Sequence, residues 1–154
     1  MDKNYQVIKV AGLLFPTSGE AKREKVATLS SSEAERIPSL RTVLTEMQSI
    51  PIYKTRVVLN DIDQQTSSFD VFFRYNRAME ANQALALEDD KIWHGDIFTM
   101  KVGARADYIG INCYSDRHLA ERATRHAVLC ALACIDFARV ANCAPVFASN
   151  IDII

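Results

Sequence analysis

Residues 69–102, FDVFFRYNRAMEANQALALEDDKIWHGDIFTMKV, limit the fold of this chain more than any other stretch, because the hydrophobic period changes twice within them. Val71, Phe73 and Tyr75 alternate as along one face of a strand. Ala78, Ala81, Ala84 and Leu85 then recur at helical spacing, and Ile97, Thr99 and Lys101 alternate with Phe98, Met100 and Val102. The pattern predicts strand, helix, strand, with a helix face of small residues lying on a sheet.

The flanking sequence extends this order. YQVIKVAGLLFP, residues 5–16, reads as an opening strand of β-branched residues ended by Gly12 and Pro16. Residues 17–36 are polar, with a Ser30-Ser31-Ser32 run and mixed charges, which predicts a mobile connection holding one short helix. Pro38 suits a first helical position, and Leu40, Val43, Leu44 and Met47 form a one-sided apolar stripe, so a helix is expected over 38–49. Pro51 ends it, YKTRVVLND (53–61) forms the next strand, and a polar turn at 63–68 leads into the third. The sum is a β-α-β-β-α-β order complete at Val102, an α+β fold whose expected core includes Val10, Leu44, Val58, Phe73, Ala81 and Leu85.

Past that point ADYIGINCYS (106–115) reads as a further strand, Ser115 or Asp116 as the cap of a long helix to about Ala141, and the tail from Ala144 as a last strand. The expected organisation is one domain over 1–103, with 17–37 a polar insertion, and an extension over 104–154 that packs on the domain or on a partner. A chain of 154 residues is long enough for one well-cored domain with such an extension. Within the long helix VLCALACI (128–135) is apolar all round, so it is expected to be covered on both sides. The predicted partner contacts are Val128, Leu129, Leu132, Ile135 and Phe137, and Leu132→Asp is expected to break assembly, or solubility if assembly is obligatory.

At this point the chain resembles the RNA-recognition-motif (RRM) superfamily over residues 5–15 and 38–103, on the order of elements and the small-residue second helix. That resemblance implies a ferredoxin-like antiparallel sheet backed by two helices. RNA-binding members stack bases on aromatics of the first and third strands. The first-strand hexamer here is Ile8-Lys9-Val10-Ala11-Gly12-Leu13, with Lys9 where an aromatic normally stands. The third-strand octamer is Ser68-Phe69-Asp70-Val71-Phe72-Phe73-Arg74-Tyr75, in which Phe72 alone keeps an aromatic at a stacking position and Asp70 puts a carboxylate at the other. VAGLLFP and RYNRAMEANQAL are also similar to parts of the dimerising RRM-like domain of the small inner-ring nucleoporins, which implies assembly through protein contacts.

Charge supports this weighting, because a formal net charge of -1 is unlike a protein whose main partner is a phosphate backbone. Single-stranded RNA is kept as the alternative partner, through Phe72 and a basic stripe of Lys9, Arg56, Arg74 and Lys101, joined by Lys54 if all share a face. His126, Cys130 and Cys134 form a ladder on the helix, but its outer members are roughly 12 Å apart at about 1.5 Å per residue and cannot close on one ion. Packing is the expected role of these cysteines, and no metal or cofactor is predicted. Trp93-His94-Gly95-Asp96, with Asp89 and Asp90 nearby, lacks a nucleophile and reads as a tight connection into a strand. Asp116-Arg117-His118 reads as a helix start with its acid near the positive end of the dipole.

The four cysteines all fall in the last third, no cleavable apolar segment opens the chain, and the longest apolar run is far shorter than a bilayer span. An intracellular protein, nuclear or cytoplasmic, is expected. It should be a non-enzymatic scaffold module that assembles with a protein partner or a second copy, with no small-molecule substrate.

Overall fold

The computed structural model describes residues 6–30, 37–60, 63, 65–105, 107–141 and 151–153. Its strands are β1 (Gln6–Phe15), β2 (Lys22–Ser30), β3 (Ile37–Pro38), β4 (Tyr53–Asn60), β5 (Thr66–Phe73), β6 (Ile97–Val102), β7 (Tyr108–Ile109) and β8 (Ile151–Ile153), and its one α-helix is α1 (Tyr114–Val140). The sheet runs β3-β2-β1-β6-β5-β4-β8, with β7 paired to β6, and every pairing is antiparallel. The chain is therefore α+β, an antiparallel sheet with one long C-terminal helix.

The strand order differs from the ferredoxin-like one, in which the opening strand lies beside the third. Here β1 pairs with β2 and β6 and has no pairing with β5. The two crossover helices of that fold are also missing from the described residues, whose one α-helix follows the sheet strands β1–β7. The predicted helix over 38–49 shrinks to a 3-10 turn at Leu40–Thr42. Pro38 is taken into β3, Ser39 N–H bonds to the Ala27 carbonyl, and the Arg74 guanidinium takes the Leu44 carbonyl that a continuing helix would use.

The predicted helix around Ala78–Leu85 is an irregular segment. Asn76 accepts a bond from Ala78 N–H at 2.8 Å, and the Asn82 side chain donates to the Phe15 and Gly95 carbonyls at 2.9 Å and accepts from Leu85 N–H at 3.0 Å. Side-chain amides offer the backbone this alternative to a helix ladder, and an Ala81–His94 bridge completes it. The polar insertion is corrected as well: its charged stretch 22–30 is β2, a nine-residue strand along the whole of β1. Residues 31–36 of that insertion, and 144–150 of the tail, lie outside the described residues.

Both faces are covered at β1, β5 and β6, which is why Phe69–Phe73 is buried without alternation, whereas β4 alternates and leaves Arg56 and Val58 exposed on the face away from α1. Leu13, Phe15, Val57, Phe69, Val71, Phe73 and Ile97 meet α1 on one face. On the other, Val10, Leu14, Val26, Phe72, Phe98 and Met100 meet Leu40, Val43 and Leu44 of the segment before β4. Gly12 is needed there, because the Phe98 ring lies where its Cβ would be, 2.4 Å from the nearest ring carbon. Of the expected core, Val10, Leu44, Phe73 and Leu85 are buried, whereas Val58 is exposed because Val57 is the inward residue, and Ala81 is exposed on its loop.

The small residues of α1 let it sit close to the sheet: Ala120, Ala123, Ala127 and Ala131 are buried on the face that carries Leu119, Val128, Leu132 and Ile135. A 2.6 Å hydrogen bond joins the buried hydroxyls of Thr99 in β6 and Thr124 in α1.

Candidate functional site

Strand alternation divides the residues expected to bind RNA between the two faces. Arg56, Phe72 and Arg74 lie on the face away from α1, while Lys9 and Lys101 lie on the α1 side. Phe72 has no solvent exposure and packs near Tyr108, so the expectation that it offers a ring to a base is corrected. Lys101 pairs with Asp116 in the first turn of α1 at 2.7 Å. Lys9 is exposed, and Arg74 is buried and donates to the Leu44 and Ile50 carbonyls. No continuous basic stripe forms from these side chains.

Arg56 instead belongs to a network around the buried Asp70 carboxylate. Its Nε and Nη2 donate to the two Asp70 carboxylate oxygens at 2.8 and 3.1 Å, and the Tyr108 hydroxyl donates to Oδ2 at 2.7 Å. The forked pairing neutralises a carboxylate that has no exposure to water. Burial first, and then the Asp70 charge, push the Tyr108 phenol far above its ordinary range, so it stays a donor. The network was legible in part: an acid inside an aromatic run survives only with a partner, and Arg56 is directly opposite Asp70 in the strand register.

The expected partner contacts separate by helix face. Val128, Leu132 and Ile135 are buried against this chain's own sheet, and Leu129 is half-buried. The stretch apolar all round is thus not buried all round, since Ala133 is exposed and Cys130 and Cys134 are partly so. Phe137 is 74% and Val140 86% exposed, and with Leu129 and Ala133 they form a stripe at helical spacing on the outer face. Other large exposed apolar residues are the adjacent Val7 and Ile8 at the start of β1, Tyr114 at the start of α1, and Met47, Val58, Ile92 and Ile109.

Among the described residues no group of three or more His, Cys, Asp and Glu side chains is arranged to hold a metal. The His126 ring and Cys130 Sγ are 3.9 Å apart on the outer face of α1. In the Trp93–Asp96 segment His94 Nδ1 contacts the Met79 carbonyl at 2.9 Å and Asp96 accepts from Thr17 N–H at 2.8 Å, so both hold loops in place. No described helix is long and apolar enough to cross a membrane. Comparison with family models, with curated proteins and with solved structures finds no match to this chain.

Proposed function

We propose that this protein is a non-catalytic assembly module that pairs with a second copy of itself through the outer face of α1. The observation that carries the reading is the outward stripe of exposed Ala133, Phe137 and Val140, continued by half-buried Leu129, on a helix whose inner face is buried. An antiparallel two-fold pairing centred on Ala133 places that small side chain against its own copy and sets Leu129 opposite Phe137. Self-complementarity of this kind is what an isologous dimer requires. The contact runs through the helix exterior rather than through a bare sheet, since both faces of the central strands are covered within the chain.

RNA binding has less support, as Phe72 is enclosed and Arg56 and Lys101 are each engaged by a carboxylate. A dilution series by NMR locates the contact. The Leu129 and Ala133 methyl signals and the Phe137 ring are expected to shift with protein concentration while Val7 and Val58 stay fixed. Movement of Val58 with no change at Phe137, or saturable shifts on adding an unstructured RNA at low protein concentration, would show the reading to be wrong.

A further inference from the structure

Arg74 is a cation only 7% exposed. Its Nε donates to the Ile50 carbonyl at 2.8 Å and its Nη1 to the Leu44 carbonyl, which uses two of its five N–H donors. Among the described residues no carboxylate forms an ion pair with it. Burial alone draws the guanidinium below its ordinary range, with no acid opposing the shift.

Glu46 and Asp96 share a small cavity with Arg74, but both are turned to Thr17, whose N–H donates to Asp96 at 2.8 Å and whose hydroxyl reaches Glu46 at 3.5 Å. The Glu46 carboxyl is held above its usual range by burial and by Asp96 and Glu80, the opposite of what a neutralising arginine would do. Buried charges in proteins are normally paired.

On its other side Arg74 lines an open groove of about 550 Å³ between the segment at 38–41 and that at 48–52. Pro38, Ile50 and Ile52 supply an apolar wall, and Arg41 and Gln48 are exposed at the rim. We propose that this groove binds a small organic carboxylate with an apolar body, its carboxylate against Arg74 and Arg41 and its hydrocarbon along Pro38, Ile50 and Ile52. The groove is within the size range of small-ligand sites, and a planar guanidinium matches a carboxylate. Two guanidinium groups beside Pro38, Ile50 and Ile52 suit a monoanion with an apolar body better than a phosphate, which needs more donors. This ligand site is separate from the outer face of α1 and does not depend on dimer formation.

Octanoate titrated into the full chain and followed by amide NMR tests the proposal, with octylammonium and inorganic phosphate as comparisons. Octanoate is expected to saturate and to shift Ser39, Arg41, Gln48 and Ile52, while octylammonium leaves them in place and phosphate acts only weakly. Because Arg74 also clamps a loop and its variants risk unfolding, the exposed Arg41 carries the mutational arm. Arg41→Glu should weaken octanoate about tenfold or more with an otherwise unchanged spectrum. Equal shifts with octylammonium, equal affinity for phosphate, octanoate shifts confined to α1, or unchanged affinity in Arg41→Glu would each overturn it.

Discussion

Asp70 has no access to water, and its two partners differ in what their loss leaves behind. Arg56→Ala strands a buried carboxylate with one hydroxyl, whereas Tyr108→Phe removes one hydrogen bond and leaves the ion pair in place. Urea unfolding should therefore show Arg56→Ala less stable by about 2–4 kcal/mol, at or below the usual range for breaking a buried pair because Arg56 is itself half-exposed. Tyr108→Phe should lose only about 1–2 kcal/mol; the reverse ranking would mean the phenol, and not the guanidinium, holds Asp70. The same residue sets an alkaline limit. The folded state keeps the Tyr108 proton to higher pH than the unfolded chain, so this stabilisation is complete below about pH 10 and falls as pH rises beyond it. Wild type and Tyr108→Phe should accordingly converge in stability above about pH 10, though Tyr75, also raised by burial, leaves some slope in both. A gap that widens with pH would contradict the assignment.

At the scale of elements, close approach decides most outcomes. Gly12→Ala drives a methyl group into the enclosed Phe98 ring and the Thr99 carbonyl, so melting and denaturant curves should report a loss of about 1–3 kcal/mol. A loss within experimental error would show that the ring can retreat. Leu132→Asp, expected from sequence to break an interface, should instead unfold the chain, because Leu132 faces the sheet and not the exterior. Circular dichroism retaining a native helix signal and melting temperature would refute that placement. What was legible in the sequence follows the same physics. Strands at 53–60, 66–73 and 97–102 and the helix at 114–140 have long, consistent patterns and stand close to where alternation and periodicity put them. The two short helices failed for different reasons: Leu40, Val43 and Leu44 are buried as a helix would bury them, whereas Ala78 and Ala81 are exposed, and Pro38 in a strand, Asn82 bonding to distant carbonyls and Arg74 capping Leu44 are long-range events that no local window contains. β2 was missed because its outward charges hid the inward Val26 and Thr28.

For the whole molecule, the central strands are covered on both faces, and among the described residues Phe137 and Val140 stand exposed together on the exterior of α1. Candidate contacts were visible in the sequence as one apolar helix, but which side faces outward was not, since Leu132 and Phe137 are equally hydrophobic and only the packing of the alanine face distinguishes them. Phe137→Glu removes the exposed ring without touching the core, so the fold should keep its melting temperature at low protein concentration, within the roughly 0.5 kcal/mol typical of surface changes. Its effect belongs to association. The most direct test is molar mass by light scattering across a concentration series of wild type and Phe137→Glu. The account predicts that wild type approaches twice the mass of one chain as concentration rises, while the folded variant stays at the mass of one. Wild type that remains a single chain at every concentration, or a variant that associates as wild type does, would contradict it.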